Sequence, residues 1–303
     1  MANEPTVRLT VAQATIRFLA AQYSERDGER NRFFAGCFGI FGHGNVAGLG
    51  QALLQAELRD PTTLPYILGR NEQAMVHSAV GYARMKDRLQ TWAVTSSVGP
   101  GATNMVTGAA LATINRIPVL LLPGDTFATR VSAPVLQELE YAAAGDITVN
   151  DAFRPVCRYF DRVWRPEQLP AAMLGAMCVL TDPADTGAVA IAMPQDVQAE
   201  AFDWPETLFA ERVWHIRRPM PERTEVQRAT AIIAAAKRPL VVAGGGVITA
   251  DATAEAIALA DTLGAAVCNS YLHNDSFPAS HPLAAGPLGY QGSKAAMKLI
   301  AQA

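Results

Sequence analysis

No block of basic residues occurs anywhere in the chain, and the formal charge over its 303 residues is only −3. Nothing therefore draws the protein toward nucleic acid or an anionic membrane surface. Long apolar runs are missing too. The strongest, IPVLLLPG at 117–124 and AVAIAMPQ at 188–195, are sized for buried strands and not for crossing a bilayer. The N-terminal MANEPTVRLT lacks the basic-then-apolar layout of a secretion signal, which sets the expectation of a cytoplasmic protein. Cysteine is scarce: Cys37, Cys157, Cys178 and Cys268 are scattered and form no C-x-x-C pair. That excludes the usual zinc spacings and leaves buried free thiols as the expectation in a reducing compartment. Neither a Gly-x-Ser-x-Gly elbow, an H-E-x-x-H helix nor a Walker A loop is present.

What the chain does have is apolar bulk. Half of its residues are hydrophobic, and its length exceeds what one core usually serves, so two domains are expected. Strand-like and helix-like segments alternate. Strands are predicted at 32–39, 64–68, 91–97, 117–124 and 187–196. Helices are predicted at 10–24, 46–59, 72–88, 101–114 and 167–181. Continuous apolar strands separated by helices indicate an α/β fold, a doubly wound and mainly parallel sheet covered on both faces. From 204 to 223 the periodicity fades, and Trp204, Pro205, Trp214, Pro219 and Pro221 suggest a linker lying along the surface. A second Rossmann-like unit follows, with a helix at 224–237, a strand at 238–246, a helix at 251–263, AAVCNS, and a last helix at 292–302. A doubly wound domain usually wants more strands, so 1–203 reads as one domain and 224–303 as an incomplete second one.

Several segments carry candidate chemistry. FGIFGHGNVAG (38–48) and the glycines 244–246 each follow a strand and lead into a helix. Both are tight turns able to present backbone N–H groups to an anion, but neither spells a dinucleotide fingerprint. TSSVGPGATN (95–104) is more specific. A Gly-Pro-Gly turn lets a ligand approach the backbone, with hydroxyls and an amide at hand. His43 lies between two glycines, where an imidazole has few neighbours to bury it. RNEQAMVHSAVGYARM (70–85) opens a helix, with Asn71 as N-cap and Glu72 in the first turn. Glu72 is either a dipole-compensating residue or a ligand contact. His77 stands about 140° around the same helix and reads as an interior histidine.

Taken together, FGxxGxGN, RNEQAMVHSAVGYARM, TSSVGPGATNMVTGAALATINRIPVLLLPGD and GAVAIAMPQDVQAE resemble the thiamine-diphosphate enzymes of the acetolactate synthase type. LLLPGDTFATR, DITVNDAFRP, RPEQL and RVWHIRRP are similar to a subgroup of hydrolases that open a cyclic 1,2-diketone in inositol catabolism. The resemblance implies that Glu72 sits beside the aminopyrimidine ring and activates the cofactor, and that burial there raises its pKa. It implies cofactor contacts from Gly44, Asn45, Ser97, Pro100, Gly101 and Asn104. It also makes His43 a candidate base or oxyanion donor for water attack.

Such enzymes also hold the diphosphate through Mg²⁺, using a Gly-Asp-Gly motif and a later asparagine. Here Gly124-Asp125 and Gly145-Asp146 are not followed by glycine, so no metal ligand is assigned. The expectation is an N-terminal part of the enzyme, inactive alone, that takes a diphosphate-binding domain from another segment or chain. A homo-oligomer is implied, because the family's cofactor lies between subunits. FAD is left open for the second unit. An acetolactate synthase-type carboligase and a non-catalytic partner subunit are the alternatives. A nucleotide-binding protein resting on glycine turns alone leaves Glu72 unexplained.

Overall fold

The computed structural model describes residues 4–132, 134–139 and 143–303. The chain divides into two compact units, Met1–Arg217 and Arg218–Ala303. In chain order the first contains β1 (Thr6–Thr10), α1 (Val11–Ala20), β2 (Gln22–Arg26), β3 (Glu29–Arg32) and β4 (Phe34–Gly39). After a π-turn at Val46–Gly50 come α2 (Gln51–Arg59), β5 (Tyr66–Leu68), α3 (Glu72–Met85), β6 (Thr91–Ser96), α4 (Pro100–Thr103), α5 (Val106–Ile114) and β7 (Val119–Asp125). They are followed by β8 (Tyr159–Arg162), α6 (Leu169–Leu180), β9 (Ala188–Pro194), α7 (Gln195–Ala199), β10 (Ala201–Pro205) and β11 (Arg212–His215).

Six strands form one parallel sheet in the order β5-β4-β6-β7-β9-β8. Its central strands are apolar on both faces. All seven residues of β7 and of β9 are buried. Leu120, Leu122, Val189 and Ile191 face a core built with α1, α2 and α6. Val119, Leu121, Ala188 and Ala190 face a second core built with α3 and α5. This is the double winding that the unbroken apolar runs imply.

α3 starts where its cap dictates. Asn71 has extended backbone, and its side-chain oxygen accepts from the Ala74 amide at 2.9 Å. Met75, Val76, Ala79, Val80 and Ala83 then line the buried face. α5 meets this face through small residues. A Cβ on Gly108 would fall 2.6 Å from Val76 Cβ, so glycine sets how closely the two helices cross.

Four expectations need correction. The stretch from 204 onward is not a surface linker: β10 pairs with β1, β11 pairs with β2, and Trp204 is fully buried, donating to the Leu9 carbonyl at 2.9 Å. Proline density is compatible with edge strands, which both β10 and β11 are, and the partners lie nearly 200 residues away, beyond any local pattern. Within this stretch residues 210–211 and 216–222 lack regular structure. The opening helix stops at Ala20, and Gln22–Arg26 is a strand. Cys178 is exposed, whereas Cys37 and Cys268 are buried and Cys157 is partly so. Burial pushes the Cys37 and Cys157 thiols up to about 12, so they behave as packing groups. His77 is exposed and not interior.

The second unit has α8 (Arg223–Ala235), β12 (Leu240–Ala243), α9 (Gly245–Thr249), α10 (Thr253–Leu263), β13 (Ala266–Asn269), β14 (Ala284–Pro287) and α11 (Lys294–Ile300). Its three strands are parallel in the order β12-β13-β14, around a small core of Ala243, Ala260, Val267 and Phe277. α8 buries none of its residues. The glycine turn after β12 is packed closely, with the His273 ring 2.6 Å from where a Gly245 Cβ would lie. Among the described residues of both units, no helix is long and apolar enough to cross a membrane.

A buried charge cluster anchors the segment that follows β7. Arg162, on β8, bonds Asp125 at 2.6 Å, the Thr148 hydroxyl at 2.8 Å and Asp151 at 2.9 Å. Burial alone would lower the Arg162 pKa, but its two carboxylate partners outweigh that and raise it. Burial alone would raise Asp151. Hydrogen bonds from Arg154, the Thr148 amide and Arg162 outweigh it and hold the carboxyl below its ordinary value. The stability that Asp151 contributes is therefore complete above its unfolded pKa of about 3.9 and is lost as pH falls through the lower folded value. In urea melts the gap between wild type and Asp151→Asn stays constant from neutrality to about pH 5 and closes below about pH 4. A gap indifferent to pH would remove these charged contacts as its source.

Candidate active site

The sheet order reverses beside β4. From β4 the chain moves outward to β5, then returns across β4 to β6. The connection leaving β4 packs on one face of the sheet and the connection leaving β6 on the other. The loops beyond β4 and β6 therefore part at the strands' carboxyl ends, which is where open α/β sheets form a crevice. The two glycine-rich motifs are these two loops.

Inside the first loop, Asn45 is the organiser. Its side-chain oxygen accepts from the Gly42 amide at 3.0 Å, and its NH₂ donates to the Ile40 carbonyl at 3.1 Å and to Thr95 Oγ1 at 3.0 Å. Asn45 is 1% exposed. Its amide is thus spent on the turn. Ser97 Oγ accepts from the Gly44 amide at 3.2 Å, so the second loop is tied to the first. A Cβ on Gly44 would lie 2.6 Å from the Val98 amide nitrogen, which explains the glycine. His43 projects from this turn half-buried, and its Nε2 is shielded from solvent with no hydrogen-bond partner. A shielded, unpaired ring nitrogen is costly unless something else pairs with it.

Glu72 lies across the crevice at the first turn of α3. It does not cap its own helix, since Asn71 does that. One carboxylate oxygen, Oε2, accepts from Asn104 Nδ2 at 2.7 Å. The other, Oε1, lies 3.2 Å from where a Gly101 Cβ would stand, and Ser97 Cβ lies 3.8 Å from that same point. Gly101 thus keeps the space in front of the acid free of side chain. Gly99 has φ of +62°, and Pro100 follows as the first residue of α4. The expected helix at 101–114 is broken after Thr103: the Met105 amide bonds the Ala102 carbonyl three residues back, and this tight turn sits at Asn104.

The structure therefore joins Glu72, Gly101, Asn104 and Ser97 in one cluster, with Gly44 linked to it through Ser97 and Asn45 tied to β6 through Thr95. Gln198 escaped the sequence reading. It is 1% exposed, donates 2.8 Å bonds to the Gly44 and Met193 carbonyls, and accepts from the Leu49 amide at 3.2 Å. A Cβ on Gly48 would fall 2.3 Å from its Oε1, so the expected helix at 46–59 opens with a π-turn around it. No local pattern flags this residue, because every partner is distant in sequence or on the backbone.

Two family descriptions match the chain. Residues 36–144 match the N-terminal TPP binding domain of thiamine pyrophosphate enzymes, and residues 226–303 match their central domain. The chain belongs to the thiamine pyrophosphate enzyme family. Among its curated relatives is a protein of Geobacillus thermodenitrificans named 3D-(3,5/4)-trihydroxycyclohexane-1,2-dione hydrolase. It is 52% identical over 298 residues, which is 98% of this chain and 46% of the relative. Proteins of the same name from Clostridium perfringens and Bacillus cereus are each 48% identical, covering 96% and 98% of this chain and 45% and 46% of theirs. The chain thus spans about half the length of the curated relatives it matches.

The crevice suits the pyrimidine half of the family's cofactor: a fixed carboxylate with one oxygen toward open space, glycines at the close approaches, and a shielded unpaired imidazole nitrogen. Asp125, of the Gly124-Asp125 pair, is buried and committed to Arg162. Among the described residues, no three acidic, histidine or cysteine side chains cluster as metal ligands.

Replacing Gln198 by Ala strands two buried carbonyls and one amide and leaves a void, costing about 2–4 kcal/mol of unfolding free energy in urea melts. A loss below about 1 kcal/mol would show that the turn holds without it.

Proposed function

We propose that this chain forms the pyrimidine-side half of a thiamine-diphosphate-dependent hydrolase that cleaves a carbon–carbon bond in a cyclic 1,2-diketone. The single observation carrying this is the placement of Glu72, with Oε2 held by Asn104 at 2.7 Å and Oε1 facing the gap kept by Gly101. A carboxyl group so fixed hydrogen-bonds a ring nitrogen of an aminopyrimidine lying in the crevice. When bound, the cofactor supplies a carbanion-stabilising thiazolium. Glu72 holds and shares the proton at the ring nitrogen. Gly101, Pro100 and Ser97 form the wall against which the ring lies, and the Gly42–Asn45 turn carries His43 to the mouth. His43 Nε2, unpaired and shielded, acts as base or oxyanion donor when water adds to the second carbonyl. The substrate class rests on the relatives' shared name.

The diphosphate and its Mg²⁺ are held by a second protein segment, in keeping with the commitment of Asp125 to Arg162 and with the span of the relatives. The working enzyme is an oligomer in which that segment closes the crevice. Titration of the 303-residue chain alone with thiamine diphosphate and Mg²⁺ therefore gives no tight binding. Micromolar affinity, about −8 kcal/mol, would contradict the division of labour.

In the assembled enzyme, Glu72→Gln lowers turnover by roughly 10²–10⁴ in a ring-opening assay. Pyruvate condensation without ring opening would instead identify a carboligase. His43→Ala is expected to cost a similar roughly 10²–10⁴ in turnover. Unchanged turnover would remove His43 from the reaction.

A further inference from the structure

We infer that Asn104 is a positioning residue for Glu72: its NH₂ occupies one carboxylate oxygen so that only the other is offered to the ligand. This deepens the cofactor reading above and rests on it. Glu72 opens α3 and is partly exposed, on a chain with three rotatable bonds that left alone would sample several rotamers. Asn104 removes that freedom with a 2.7 Å bond to Oε2. Three features place Asn104 there. The backbone turns tightly at this residue, between α4 and α5. Gly108 lets α5 approach Val76 of α3, bringing the two helix starts together. Asn71 caps α3 and so frees Glu72 from that task.

The remaining oxygen, Oε1, is the one beside Gly101. The amide can only donate through its nitrogen, so the bond also fixes its flip and marks Oε2 as an acceptor. Asn104 thus acts on the cofactor only through Glu72, although the sequence resemblance offered it as a cofactor contact in its own right.

The test uses the enzyme assembled with its diphosphate-binding half, with variants Asn104→Ala, Asn104→Gln and Glu72→Gln. Three quantities are read: deuterium exchange at the thiazolium carbon of bound cofactor, cofactor Kd, and the urea midpoint. Asn104→Ala should slow exchange roughly 10–100-fold, the usual cost of losing an orienting partner, with Kd changed less than about threefold and the midpoint unmoved. Asn104→Gln should recover part of the rate.

A readout needing neither turnover nor a change at position 104 is the side-chain amide resonance of Asn104 in the unloaded 303-residue chain. It should shift on Glu72→Gln. Exchange within twofold of wild type in Asn104→Ala, or an Asn104 amide indifferent to Glu72→Gln, overturns the inference. If Glu72→Gln itself exchanges and binds as wild type does, the cofactor reading falls with it. If Glu72 matters and Asn104 does not, only the positioning role falls.

Discussion

The hydrogen bond between Asn104 and Glu72 joins the starts of two helices that belong to different strand–helix units. Everything around it serves to make that meeting possible. Small residues on α5 let it cross α3 closely, and the Asn71 cap sets the residue at which α3 begins. The parallel sheet beneath holds both helices on one face through a core of Val76, Ala79, Val94, Ala109 and Leu121. A bond between side chains of two such units needs a rigid base of this kind.

The opposite wall of the crevice is built on a different principle. It consists of a turn held by backbone hydrogen bonds, the Ser97 hydroxyl and two buried side-chain amides. Asn45 ties the turn to itself and to β6, and Gln198 ties it to the carboxyl end of β9. Both amides are buried with their capacity largely used, so loss of either leaves several backbone groups unpaired at once. His43 is the exception in this wall, with a shielded nitrogen that nothing in the described residues pairs. The buried Arg162 cluster shows the reverse case. Its aspartates look available in the sequence, yet the fold spends them on anchoring.

The parallel sheet, the positions of five of its six strands, Asn71 as a cap and Glu72 as a first-turn acid were legible in the sequence, because each is a local pattern of polarity or capping chemistry; the short edge strand β8, only partly buried, carries no such apolar run. So were the two glycine motifs that bound the crevice, and with them the family resemblance. The stretch from 204 to 215 was misread for the converse reason. Strand pairing with Leu9 and Gln22 is non-local, and nothing in a proline-rich segment announces it. The division of the predicted helices at 46–59 and 101–114 was hidden as well, since a π-turn and a tight turn keep nearly helical periodicity.

By itself the sequence determined which residues would be buried in strands, where helices begin, and which acid stands at the mouth of one of them. Those depend on spacing and on side-chain chemistry within a few residues. Only the tertiary structure decided which oxygen of Glu72 is taken by Asn104, that Asn45 and Gln198 bond the turn, that Asp125 pairs with Arg162, and that His43 Nε2 is shielded. Each of those outcomes turns on partners brought together from separate strand–helix units. Hydrogen-bond directions between such groups are set by packing and not by sequence distance.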